Sequence, residues 1–155
     1  MKDTKTMNTL ILGIGNPILA DDGVGIKIAR KLKEGSPQSE VAETSEAGLA
    51  LLDLIQGYDK VIIIDSIKTE QGKPGEVYKL DLEDLKPAMD FTSSHGISIA
   101  TALELGRMMG YKMPSCVSLY AVEIKDNVTF SENCTQEVEK RVPLITKQII
   151  GEEKL

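Results

Sequence analysis

The chain is poor in the residues that much of catalytic chemistry draws on. Of its 155 residues one is histidine, His95, two are cysteine, Cys116 and Cys134, and none is tryptophan. Any reaction or metal site that needs an imidazole must therefore use His95. The two cysteines form no CxxC pair, and a reducing compartment would keep them as thiols. They read as two ordinary thiols in a reducing compartment. Long apolar runs are also missing: nothing approaches the roughly 18 uninterrupted residues of a membrane span. The early run Leu10-Ile11-Leu12 stops at Gly13, too soon for the core of a signal peptide. The expectation is a cytoplasmic protein with no membrane partner. Positive charge is scarce as well. A net charge of −6 and a pI of about 4.9 supply none of the positive field that nucleic acid requires.

What is present is the composition of a globular domain, 41% hydrophobic and 27% charged. There are no repeats, low-complexity tracts or long linkers, so residues 1–155 read as a single domain able to bury a core unaided. Strand and helix patterns alternate. Thr9 to Ile14 is an apolar strand running into the turn Gly13-Ile14-Gly15. Val24, Ile26, Ile28, Ala29 and Leu32 have amphipathic spacing, with Asp21 or Asp22 as the N-cap. A weak strand covers Glu40 to Ser45 and a helix Ala47 to Ile55. Val61 to Ile64 is apolar at every position, as in a strand covered on both faces. Glu76 to Leu80 alternates like an edge strand. A helix over Ile97 to Met109, a strand over Cys116 to Ile124 and a helix over Thr135 to Ile150 complete the chain. Pro143 is expected to kink or interrupt the last of these. The alternation predicts a layered α/β domain with a mainly parallel sheet.

Open sheets of this kind bind ligands beyond the carboxyl ends of their strands, which directs attention to three loops. The first runs from Gly13 to Gly25 and carries Asp21-Asp22-Gly23. It fails as a dinucleotide fingerprint, because Ile18 replaces the third glycine and two carboxylates stand where a phosphate would sit. Both acids can cap the helix, yet one cap needs only one of them. The second loop begins at Asp65, directly after the apolar run, where it reads either as a turn former or as a functional carboxylate. The third contains His95 within Ser93-Ser94-His95-Gly96, either as a capping residue or as a ligand. Two carboxylates and one imidazole suit a borderline divalent cation such as nickel or zinc, provided that the loops meet.

The strings LILGIGNPILADDGVGIKIARKL, VIIIDSIKTEQGKPGEVYKL and SSHGISIATALELGRMMG, in that order, resemble the nickel-iron hydrogenase maturation endopeptidases. The later stretch AVEIKDNVTFSENCTQEVEKRV resembles the same family. The resemblance implies a three-layer α/β/α sandwich around a five-stranded, mostly parallel twisted sheet. It implies a metal-binding trio of Asp22, Asp65 and His95, with Asp21 as a supporting catalytic carboxylate. It further implies that the partner is a nickel-loaded precursor of a hydrogenase large subunit. The chain would remove the C-terminal extension of that precursor after nickel insertion, and the nickel would be carried by the substrate. Many relatives have glutamate at the position of Asp22. The segment Glu43-Thr44-Ser45-Glu46-Ala47-Gly48 departs from the relatives' Asp-Gly-Gly-Thr, a substrate-recognition stretch. Two alternatives of other classes are a non-catalytic module that senses a metallated partner and a nucleotide-binding protein. The paired aspartates argue against the second.

Overall fold

The computed structural model describes residues 6–46, 50–81 and 97–155. His95 lies outside them, as do Ala47, Gly48 and Leu49, so the start expected for the second helix falls partly outside as well. Five strands form one sheet in the order β2-β1-β3-β5-β4. They are β1 (Thr9–Ile14), β2 (Glu40–Thr44), β3 (Lys60–Ile67), β4 (Val77–Asp81) and β5 (Cys116–Glu123). All neighbours pair in parallel except β4, an antiparallel edge. Helices α1 (Val24–Gly35), α2 (Ala50–Ile55), α3 (Ile97–Met108), α4 (Gln136–Glu139) and α5 (Val142–Glu153) cover the two faces.

The side-chain alternation of the central strands explains the three layers. Ile62 and Ile64 of β3 join Tyr120 and Val122 of β5 under α1, α4 and α5. Val61 and Ile63 join Val117 and Leu119 under α2 and α3, through Leu51, Ile55, Ile99 and Leu103. Each fully buried aliphatic side chain contributes about 1.5–3 kcal/mol, so both faces of β1 and β3 are stabilising. That is why the two strands carry apolar residues without a break.

Three expectations are corrected. Asp65 does not end its strand, because β3 continues to Ile67. Its pairing with β1 stops at Ile64, while pairing with β5 runs on to Ile67. Asp65 and Ser66 thus lie on a strand segment with one edge released, at the point where β1 turns away. Second, neither Asp21 nor Asp22 is the N-cap of α1. Both lie in a 3-10 turn, Ala20–Gly23, which leads directly into the helix, and Gly23 holds the cap position. Third, the single final helix expected over Thr135 to Ile150 is two helices, interrupted just before Pro143 as one of the two expected outcomes had it. Pro143 sits in the first turn of α5, where its missing N–H costs nothing, so it starts that helix.

Strand order reverses around β1: the chain goes from β1 outward to β2, then back across to β3. The crevice at such a switch point opens beyond the carboxyl ends of β1 and β3. Gly25 fixes what stands over it. A Cβ at that position would collide with the Ile64 carbonyl and come within 2.8 Å of the Ile14 carbonyl oxygen. Only glycine lets the first turn of α1 rest directly on both strand ends.

Candidate active site

The loop after β1 folds tightly back on itself. Gly15 has φ +152°, and a Cβ there would run into the Asp22 carbonyl oxygen. Its N–H donates to the Thr44 carbonyl at 3.0 Å, which brings the end of β2 to the same rim. The Asn16 N–H donates to Asp22 Oδ2 at 2.9 Å, and the Ile18 N–H to Asn16 Oδ1 at 3.1 Å. These bonds set Asp22, which is half-buried, at the mouth of the crevice.

The second loop meets it there. Ser66 donates its hydroxyl to Asp22 Oδ1 at 3.1 Å and its N–H to Asp65 Oδ1 at 2.7 Å. Ser66 therefore ties the two aspartates together across 43 residues of sequence. The strand alternation makes this possible, since adjacent residues of β3 face opposite sides of the sheet. Ser66 follows Ile62 and Ile64 toward the α1 face, where the Asp22 loop lies. Asp65 follows Val61 and Ile63 toward the face covered by α2 and α3. Asp65 is only 2% exposed. Sequence reading missed Ser66 as a site residue, although its signal was present in a polar pair at the end of an apolar strand.

The two adjacent aspartates have different surroundings. Asp21 is fully buried. Its Oδ2 accepts from the N–H groups of Lys125 and Asp126 at 3.1 and 3.0 Å, and its Oδ1 from the Thr135 N–H at 2.7 Å. The Thr135 hydroxyl adds a bond to Oδ2 at 2.8 Å. Asp21 thus clamps the segment between β5 and α4 beneath the site. Asp22, by contrast, accepts one bond on each oxygen among the described residues. A carboxylate oxygen has two lone pairs, so Asp22 retains acceptor capacity toward a ligand at the rim.

Glu123, at the end of β5, is also fully buried. It accepts from the hydroxyl and the N–H of Thr69 and so fixes the turn after β3. Cys134 is half-buried, and burial pushes its thiol up to about 11, which leaves almost no thiolate at neutral pH. Its sulfur is not poised as a nucleophile. Among the described residues no group of three or more histidine, cysteine, aspartate or glutamate side chains gathers as a metal cluster. Asp22 and Asp65 are linked through Ser66, Asp21 is buried against the segment between β5 and α4, and His95 lies outside the described residues.

An open α/β/α sheet with two carboxylates linked through Ser66 at its switch point has the crevice at which such sheets hold their ligands. A family model for hydrogenase maturation proteases matches residues 24–152. The chain is 29% identical over 151 residues to the hydrogenase 2 maturation protease of Escherichia coli (strain K12), spanning 94% of this chain and 90% of that protein. It is 30% identical over 105 residues to a putative hydrogenase maturation protease of Methanocaldococcus jannaschii, spanning 64% of this chain and 68% of that protein. In structure it is similar to the hydrogenase maturating endopeptidase HybD from E. coli, with a TM-score of 0.79 and 26% identity over 96% of this chain and 93% of that one. It is also similar to the [NiFe] hydrogenase maturation protease HybD from Thermococcus kodakarensis, with a TM-score of 0.73 and 26% identity over 95% and 98% of the two chains. The chain belongs to the hydrogenase maturation protease family and is an endopeptidase. This favours the enzyme over the non-catalytic module and the nucleotide-binding alternative.

Proposed function

We propose that this endopeptidase removes the C-terminal extension from the large-subunit precursor of a nickel-iron hydrogenase, and that it does so after nickel has been inserted. The observation that carries this reading is the Ser66 bridge between Asp22 and Asp65. It supports a paired-carboxylate site at the crevice, and carboxylate oxygens suit a borderline divalent ion. Nickel belongs to the substrate here. Asp22 and Asp65 would offer it donors at the rim of the sheet, with His95 as the third.

The course of α3 supports the inclusion of His95. The helix has 12 residues, about 18 Å at 1.5 Å per residue. The chain beyond its C-terminal end bonds near the start of β3, where the Gly57 N–H donates to the Lys112 carbonyl. The backbone of its N-terminal end therefore lies toward the carboxyl ends of the strands. The helix also packs on the face of the sheet that Asp65 occupies, and His95 precedes it by two residues. Asp21 acts as a supporting group by holding the loop that carries Asp22. Engagement of the loaded ion would align the scissile peptide, and a carboxylate oxygen could then take the proton of the attacking water. We place the reaction in the cytoplasm, a reading supported by two free thiols. Among the described residues no helix is long and apolar enough to cross a membrane.

The test is cleavage of a nickel-loaded precursor by Asp22→Asn, Asp65→Asn and His95→Ala. Each is expected to lose at least about a hundredfold in rate, the cost of misplacing reacting groups by about 1 Å. Asn at position 65 keeps an oxygen for the Ser66 N–H, and a thermal melt beside each assay separates a lost fold from a lost reaction. A folded His95→Ala variant that cleaves at the wild-type rate would remove His95 from the mechanism.

A further inference from the structure

Three large apolar side chains stand in solvent on the loops that frame the site. Ile18 is 49% exposed, Val128 76% and Phe130 83%. Phe130 is one of only two phenylalanines in the chain. A lone exposed apolar residue is ordinary, but a group of them at one place marks an interaction surface.

The loops that carry these side chains are firmly built. Leu19 and Ser131 form a parallel bridge. The Ser131 N–H donates to the Ile18 carbonyl and the Ala20 N–H to the Ser131 carbonyl, both at 2.9 Å. Asp126 Oδ1 accepts from the N–H groups of Val128 and Thr129 at 3.0 Å each. Asp21 holds the start of the same loop through the Lys125 and Asp126 N–H groups. Ala20 adopts φ +49° at the junction, a left-handed conformation that is unfavourable outside glycine and is kept only when its surroundings impose it. An ordered backbone thus holds Ile18, Val128 and Phe130 out in water. The nearest cation in sequence, Lys125, is engaged elsewhere, with Glu137 at 3.0 Å.

The same loop that presents Ile18 carries Asp22, four residues on. An endopeptidase must lay a polypeptide across its carboxylates, so the chain entering or leaving them passes these side chains. We infer that Ile18, Val128 and Phe130 form the docking surface for an apolar stretch of the precursor next to the cleaved bond. This rests on the proposed substrate. The surface acts on binding, and the chemistry stays with the carboxylates.

Steady-state cleavage of the nickel-loaded large-subunit precursor tests the inference. Ile18→Ser, Val128→Ser and Phe130→Ser should each raise KM, Phe130→Ser by about tenfold, the typical scale for a buried aromatic anchor at an interface. Their kcat should stay within about twofold, since uniform binding is what is lost. Melting temperatures should not fall, because none of the three packs in the core. Met108→Ser is the control: this side chain is 78% exposed at the far end of α3 and its removal should change neither constant. A wild-type enzyme that cleaves while Phe130→Ser keeps the wild-type KM overturns the docking surface alone. An equal rise in KM for Met108→Ser would overturn it too. A wild-type enzyme that cleaves no precursor overturns the substrate reading, and this inference with it.

Discussion

Two neighbouring aspartates with the same chemistry are assigned different work by their partners. The donors to Asp21 come from residues 104 to 114 positions away, so nothing in its local sequence could separate it from Asp22. This is why the sequence offered both as helix caps, although the cap of α1 is Gly23. The choice between the two acids lies in tertiary structure. Ser66 was similarly hidden, because its value comes from facing the side of the sheet opposite to Asp65. Removing its hydroxyl leaves Asp22 Oδ1 without its bond from β3. Ser66→Ala should lower kcat about tenfold, equivalent to about 1.4 kcal/mol of alignment. The loss of one ordinary hydrogen bond should cost only about 0.5–1.5 kcal/mol of stability. Ser66→Thr, which keeps the hydroxyl, should restore part of the rate. Cleavage rates measured beside thermal melts would show the split, and a Ser66→Ala enzyme with unchanged kcat would mean that Asp22 holds its position without β3.

Strands were the most legible elements. Thr9–Ile14 is the strand its apolar run announces, and the run from Val61 to Ile64 lies within β3, because burial on both faces leaves an unbroken apolar signature. The extension of β3 through Asp65 and Ser66 was not legible. It depends on pairing with β5, and a polar residue on a strand half released at a crevice looks locally like a loop. The break between α4 and α5 was legible in Pro143 as one of two outcomes, since proline favours a first turn over a helix interior. The segment between β5 and α4 shows what such connections do for the site. It has little regular structure, yet Asp21 anchors its beginning and the residue before α4. Asp21→Asn is expected to be more damaging than a cap exchange. An amide NH2 must replace an oxygen that now accepts N–H bonds, leaving buried donors unpaired at about 1–3 kcal/mol. Denaturant melts should show this loss together with reduced cleavage. A variant of wild-type stability would show that the loop is held by other contacts.

Across the whole molecule, the site lies at one end of the sheet, while much of the charge that closes the fold lies at the other. Tyr120, fully buried in β5, donates to Glu153 at 2.8 Å, and Lys60 at the start of β3 pairs with the same carboxylate. Burial alone would raise the carboxyl of Glu153, but hydrogen bonds from Lys60, Tyr120 and Ser118 outweigh it and hold the group below its ordinary 4.5. The native state therefore favours the ionised form. This contribution to stability is present above the unfolded value and is lost as pH falls through the folded one. Melting temperature should drop below about pH 4.5, the unfolded reference for glutamate, and Glu153→Gln should flatten that part of the profile. An identical acid profile for both proteins would assign the drop to other carboxylates. Fold and family fix the molecule as a hydrogenase maturation protease, and we propose that the carboxylates at the opposite end read nickel in the precursor. The most direct measurement incubates the enzyme with nickel-loaded and nickel-free large-subunit precursor and weighs the released peptide by mass spectrometry. A single C-terminal peptide is expected from the loaded precursor and none from the nickel-free one. Equal release from both would contradict it.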